Sequence, residues 1–236
     1  MASSSLLYSL LLLFLVLIST IGVPQVKGAT MPNSEGPAPP IVVLGASYAA
    51  GLERTALAGY PLINKGVGGQ QSHEMLARFQ QDVIDLQPGM VIIWGFINDI
   101  FRSERAAMEQ TIAAVKQNYE AMVDLARSNG ITPLLATEIT MSSRPGLINQ
   151  LRSLIGRLAG KTSYQEHINS QVMAVNRWLH EYADENGLIL LDLQAQLADG
   201  GVMRNSRYAQ PDGSHVSNEG YQILADYLER RLKDLP

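Results

Sequence analysis

From Ile41 to the C-terminus, short uncharged apolar runs alternate with longer stretches whose apolar residues recur at spacings of three and four. The short runs are Ile41-Val42-Val43-Leu44, Leu62-Ile63-Asn64, Met90-Val91-Ile92-Ile93-Trp94, Leu134-Leu135-Ala136 and Leu188-Ile189-Leu190-Leu191. Continuous rather than alternating apolarity over so few residues predicts strands buried on both faces. The clearest helical pattern runs from Arg105 to Asn129, where Ile112, Val115, Tyr119, Met122 and Ala126 share one face and Gly130 follows as a stop signal. A second helix is predicted from Tyr164 to Asn186, before Gly187, and a last one from Asn218 to Leu235 with Ser217 as its N-cap. Strand and helix alternating in this way imply a mostly parallel sheet covered on both sides. The expected fold is α/β, a three-layer α/β/α sandwich around a five-stranded sheet.

Two stretches lie outside that alternation. Leu6 to Val23 is an uncharged run of 18 residues, ended by Pro24 and followed by the small-residue sequence Val26-Lys27-Gly28. Residues 1–28 therefore read as a secretory signal peptide, with an uncleaved membrane anchor as the alternative. Residues 29–40, rich in proline and glycine, read as a flexible linker, and residues 41–236 as one domain. Met141 to Ser163 is longer than a strand-to-helix connection requires. Within it Leu147, Ile148, Leu151, Leu154, Ile155 and Leu158 share a helical face, which suits a core-packing helix or, more sharply, an amphipathic flap that accepts an acyl chain.

Composition narrows the function classes. The chain has 18 basic and 22 acidic side chains, and the first 28 residues hold only Lys27 among them, so the domain is mildly acidic. That balance gives no footprint for nucleic acid or an anionic membrane. With no cysteine in the chain, disulfides and a cysteine-linked lipid are both excluded, and the fold must rest on its apolar core. No pair of histidines has metal-ligand spacing, so neither a metal nor a cofactor is expected. His73, His167 and His180 read as solvated helix residues.

In an open parallel sheet, ligands sit beyond the carboxyl ends of the strands. Ser47 follows the first predicted strand, Gly66-Val67-Gly68-Gly69 the second and Asn98-Asp99 the third, while Asp212 and His215 lie in the loops after the fifth. All four segments fall on one rim. Alone, Ser47 is more simply a helix N-cap, and Asp212-Gly213-Ser214-His215 a loop with an Asx turn. Together they supply a hydroxyl, an imidazole and a carboxylate able to hold that imidazole in one tautomer, the parts of a nucleophilic hydrolase. Gly45-Ala46-Ser47-Tyr48-Ala49 also resembles the nucleophile elbow of α/β-hydrolases. That fold, however, places its nucleophile after several strands and its acid far from its histidine.

Four blocks in order, Gly45-Ala46-Ser47, Asn64-Lys65-Gly66-Val67-Gly68-Gly69, Gly95-Phe96-Ile97-Asn98-Asp99 and Asp212-Gly213-Ser214-His215, resemble the SGNH, or GDSL, hydrolase family. The resemblance implies Ser47 as nucleophile, His215 as general base and Asp212 as orienting acid. It also implies an oxyanion hole made by the Ser47 and Gly69 N–H groups and the Asn98 amide. Two positions depart from the family's pattern. Ala46 stands where an aspartate is usual, so a brace on the nucleophile loop is expected to be missing. Phe96 stands where a glycine is usual, so bulk is expected beside the oxyanion hole. Asp99 is expected to brace its own loop, and Asn64 to order the second-block turn.

The implied function is exported hydrolysis of carboxylic esters, acting on a small-molecule, lipid or glycan ester, with membrane contact only through an uncleaved N-terminal segment. Two alternatives are an O-acetyl esterase or acyltransferase on an envelope glycan and a non-catalytic binding module. A long glycan platform calls for several rim aromatics, and only Tyr48, Trp94, Phe96 and Phe101 are near in sequence.

Overall fold

The first strand, β1 (Ile41–Gly45), is buried along its whole length and lies inside the sheet. The structure is a computed structural model that describes residues 38–142, 163–198, 200 and 203–235. After β1 the chain turns through the short helix α1 (Ser47–Ala50) into an edge hairpin, β2 (Ala56–Leu57) and β3 (Tyr60–Gly66). Helices α2 (Ser72–Ala77) and α3 (Phe79–Asp82) lead to β4 (Met90–Trp94). Next come α4 (Ile97–Arg102), α5 (Met108–Ser128) and β5 (Thr132–Ala136). The described chain resumes with α6 (Tyr164–Glu185), β6 (Ile189–Leu191), α7 (Leu193–Ala198) and α8 (Asn218–Lys233).

The sheet order is β2-β3-β1-β4-β5-β6, all parallel except β2. Val43 in β1 lies level with Asn64 on one side and Ile92 on the other, so the ends of β1, β3 and β4 reach the same rim. The chain moves first to one side of β1 and then to the other. Right-handed crossovers in opposite directions put their helices on opposite faces, which produces the three expected layers.

The sheet has six strands rather than five. The extra strand, β2, pairs through two residues only, Ala56 with Pro61 and Leu57 with Tyr60. Its turn, Ala58-Gly59, has positive φ at both positions (53° and 86°), and the Ala58 N–H donates to Glu229 of α8 at 2.6 Å. Two residues carry no periodicity, so nothing in the local pattern announces this strand. Burial on both faces holds for β1 and for most of β4 and β5. It fails for β3, which is backed only by the short β2, and for β6 at the far edge.

The long helices keep close to their expected bounds. A 3₁₀ turn (Arg105–Ala107) precedes α5, which buries Val115, Tyr119, Met122 and Ala126 as its spacing requires. Ser217 caps α8, its Oγ accepting the Gly220 N–H at 3.2 Å. The residues 143–162 of the expected flap lie outside the described residues. At the rim, β3 and α1 meet backbone to backbone. A Cβ on Gly66 would stand 2.1 Å from the Ala50 nitrogen, so only glycine admits this approach.

Candidate active site

In a doubly wound sheet the ligand crevice forms where the chain reverses its direction of travel. Here that point lies between β1 and β4. Ser47 opens α1 directly after β1, and Asn98 is the second residue of α4, just beyond β4.

The turn before Ser47 is held from several directions. Ala46 N–H donates to the Trp94 carbonyl at 3.3 Å, and Arg78 Nη2 donates to the Gly45 carbonyl at 3.0 Å. Arg78 also holds Gln70 Oε1 (2.7 Å) and Asp82 Oδ2 (2.7 Å), so one guanidinium links the first block to the residue that follows the second. The brace expected to be missing with Ala46 is therefore supplied by Arg78. Asn64 does more than order its own turn. Its Oδ1 accepts the Gly66 N–H at 2.8 Å, while its Nδ2 donates to the carbonyls of Ala49 (2.8 Å) and Leu52 (3.0 Å) around α1.

Asp212 and His215 form a closed unit. Asp212 Oδ1 accepts the N–H groups of Ser214 (2.8 Å) and His215 (2.9 Å), and Oδ2 lies 2.5 Å from His215 Nδ1. Gly213, at φ 75°, makes the turn that this requires. With the Nδ1 proton facing the carboxylate, Nε2 is left as the acceptor. Desolvation opposes ionisation of Asp212, but the hydrogen bonds from His215 and Ser214 outweigh it and hold the carboxyl well below the usual range.

A second, buried layer locks this loop to the nucleophile. Tyr48 Oη donates to the Ser214 carbonyl at 2.6 Å, and Arg204 Nη2 donates to the carbonyls of Gly213 (2.8 Å) and Ser214 (2.9 Å). Tyr221 Oη donates to the Tyr48 carbonyl at 3.1 Å. Burial pushes the Tyr48 hydroxyl far above its ordinary value, so it remains a donor. The neighbour of Ser47 thus grips the neighbour of His215. Ser47 and His215 line one cleft, together with Glu53, Arg54, Gln210 and Gln222. Among the described residues no hydrogen bond joins the Ser47 hydroxyl to the imidazole, a looseness common before substrate binds.

Beyond β4, Asn98 Nδ2 donates one proton to the Gln70 carbonyl at 2.9 Å, which leaves its second N–H open. Arg102 Nη2 donates to the Gly69 carbonyl at 2.7 Å, so α4 is tied twice to the chain around Gly69 and Gln70. The Ser47 and Gly69 N–H groups have no partner among the described residues. These are donors of the kind a developing oxyanion needs.

Several expectations change. Phe96 is fully buried, edge-on to Tyr119 with ring centroids 6.1 Å apart, so its ring adds no bulk to the open surface of the cleft. Asp99 braces a neighbour rather than only its own loop, accepting Ser72 N–H (2.8 Å) and Ser72 Oγ–H (2.7 Å) at the start of α2. Tyr48 and Trp94 are buried as well, and Phe101 is half-buried, so the four aromatics make no open platform. His73 and His180 are exposed as expected, whereas His167 is half-buried with its Nε2 shut off from solvent.

Sequence reasoning missed Arg204, the Tyr48 grip and Glu138. The signal for Glu138 was its place, directly past the β5 strand on the same rim. Its carboxylate is fully buried and accepts N–H groups from Phe96 (2.7 Å), Ile97 (3.2 Å) and Ile139 (3.3 Å). Burial pushes the carboxyl up to about 7, against the pull of those N–H groups and with the Asp99 charge adding to the rise. In an unfolded chain the same group titrates near 4.5, so the folded protein holds the proton more tightly. Its contribution to stability is then greatest below that value and is lost as pH rises to about 7. Glu138→Gln cannot ionise. Urea unfolding midpoints are expected to fall less between pH 5 and 8 in this variant than in the parent; equal slopes would refute the assignment.

Comparison with known proteins identifies the family. Residues 42–223 match the GDSL-like lipase/acylhydrolase family. YqeF, an uncharacterised lipoprotein of Bacillus subtilis (strain 168), is 23% identical over 182 residues, which is 71% of this chain and 72% of that protein. A lipase/acylhydrolase of Enterococcus faecalis superposes with TM-score 0.60 at 23% identity, covering 83% of this chain and 95% of its own. The acetylxylan esterase Axe2 of Geobacillus stearothermophilus superposes with TM-score 0.61 at 18% identity, covering 84% and 95%. The match spans all four blocks, and the chain therefore belongs to the GDSL-like lipase/acylhydrolase family and is a carboxylic ester hydrolase.

Proposed function

We propose that the protein is an exported esterase that works through a serine acyl-enzyme. Ser47 Oγ attacks the ester carbonyl while His215 Nε2 takes its proton; the C–O bond to the alcohol breaks as His215 returns that proton to the leaving oxygen. Water then repeats the sequence on the acyl-Ser47 ester and releases the acid. Asp212 keeps the imidazole oriented and stabilises its cation. The Ser47 and Gly69 N–H groups and the free N–H of Asn98 receive the oxyanion. The observation that carries this reading is the closed Asp212–His215 unit sharing one cleft with Ser47. Residues 1–28 serve as the export signal and residues 29–40 as a tether. The relative that is a lipoprotein supports an envelope or extracellular setting.

The acyl-ester or lipid substrate class remains the first reading. The cleft favours a second, an O-acetyl ester of a sugar, because around Ser47 and His215 it presents Glu53, Arg54, Gln210, Asn218 and Gln222, with Leu52 as its one large aliphatic among the described residues. Such a lining offers hydrogen bonds to a polyhydroxylated alcohol. The test compares p-nitrophenyl acetate, butyrate and octanoate with an acetylated sugar, using protein that begins at Ala29. Preference for acetyl groups favours the sugar ester, and preference for octanoate favours the lipid reading. In the same assay Asn98→Ala is expected to lower kcat about 10²- to 10³-fold with little change in KM. Unchanged kcat would remove Asn98 from the oxyanion hole.

A further inference from the structure

Glu138 is the one fully buried carboxylate at the rim of the described sheet that the proposed mechanism leaves unused. It is shut off from solvent and has no Lys, Arg or His partner among the described residues. An acid in such a place is costly unless donors compensate it. Its donors are specific. Phe96 and Ile97, whose N–H groups converge on Oε2, immediately precede Asn98.

The local need for that carboxylate is evident. Helix α4 has six residues, and the N–H groups of its first turn have no acceptor within the helix. Its N-cap position is Phe96, whose side chain cannot accept a hydrogen bond. Asp99 N–H donates to the Phe96 carbonyl at 3.0 Å, and for the N–H groups of Phe96 and Ile97 the carboxylate arriving from the end of β5 is the acceptor. Negative charge there also suits the direction of the peptide dipoles. Glu138 is in turn held by its main chain, since its N–H donates to Asn176 Oδ1 at 2.8 Å and its carbonyl accepts from Asn176 Nδ2 at 2.8 Å. Asn98 is therefore fixed at both ends: its backbone follows the turn held by Glu138, and its amide meets the Gln70 carbonyl at 2.9 Å.

We propose that Glu138 is a positioning residue for ester hydrolysis, which by capping the Phe96-Ile97 turn holds the Asn98 amide where the oxyanion forms. This rests on the oxyanion role proposed for Asn98. Glu138 itself touches neither substrate nor nucleophile. Glutamine is not equivalent to the ionised group, because one of the two atoms that face three N–H groups becomes a donor; the variants are therefore compared at about pH 8 or above, where the carboxylate is the main form.

The test is a double-substitution cycle of Glu138→Gln with Asn98→Ala, assayed on p-nitrophenyl acetate. Active protein is counted by titration with a fluorophosphonate, and folding is checked by circular dichroism. In the parent background Glu138→Gln is expected to lower kcat per active site by about tenfold to 10²-fold while KM stays within about twofold. In the Asn98→Ala background the same change is expected to lower kcat by less than about twofold, because the group being positioned is already gone. Equal factors in both backgrounds would make Glu138 merely structural and overturn the proposal. Loss of kcat in Asn98→Ala with none in Glu138→Gln overturns it too, and leaves the proposed function standing. No loss in Asn98→Ala defeats the oxyanion reading itself, and this proposal with it. If the glutamine variant does not fold, Glu138→Asp carries the same comparison, since it keeps the charge and draws the carboxylate back by one methylene.

Discussion

Ser47→Ala is expected to lower kcat for ester hydrolysis by at least about 10⁴-fold, with His215→Ala and the double variant falling by about the same factor rather than by the product. The reason lies in how the two groups work in the proposed mechanism. The serine hydroxyl is a poor nucleophile until the imidazole removes its proton, and the imidazole has nothing to activate once the hydroxyl is gone. Each change removes the same step. What survives is the contribution of the oxyanion donors and of substrate binding, which neither substitution touches. Both side chains are on the surface of the cleft rather than in the core, so the variants should unfold at nearly the parent temperature. Initial rates on p-nitrophenyl acetate, with protein integrity checked by thermal melting, measure this. Losses that multiply in the double variant would mean that Ser47 and His215 act in separate steps.

Asp212→Asn is expected to be nearly as damaging, about 10⁴-fold in kcat, although it changes one atom and no shape. Asp212 Oδ1 accepts two backbone N–H groups, from Ser214 and His215, which fix which end of an amide can sit there. The asparagine oxygen must take that place, and its NH2 must then face His215 Nδ1. An imidazole facing a donor presents a lone pair at Nδ1 and carries its proton on Nε2. The base is then protonated on the nitrogen that should receive the serine proton. Rates at pH 7 measure the loss, and nuclear magnetic resonance of ¹⁵N-labelled imidazole reports the tautomer. Unchanged activity would show that Asp212 holds the loop but does not select the tautomer.

The parts of this fold that could be read from sequence are those whose cause is local. β1, β4 and β5 announce themselves because strands buried on both faces need no polar residues. The helices α5, α6 and α8 do so because one face must be apolar every three or four residues. β2 is invisible because its cause is remote: Glu229, 171 residues away, holds the Ala58 turn. The four blocks could be placed on one rim from strand order alone, since parallel topology decides where strand ends lie. The direction in which a side chain leaves a turn could not. Phe96 was expected beside the oxyanion donors, but the turn that frees its N–H for Glu138 sends the ring into the core against Tyr119. Glu138 and Arg204 were missed for the opposite reason. Charged residues are read as surface residues by default, and only three-dimensional contact shows which carbonyls or N–H groups a buried charge serves.

The Tyr48 grip on Ser214 joins positions separated by 166 residues, and Tyr221 reaches back to Tyr48 across 173. Contacts of such long range close late, because a long loop must be ordered before they return any energy. In the proposed mechanism the chemistry is therefore coupled to docking of the segment that carries His215. A partly unfolded polypeptide then keeps the Ser47 hydroxyl and the His215 imidazole apart, and is expected to cleave nothing until that segment docks.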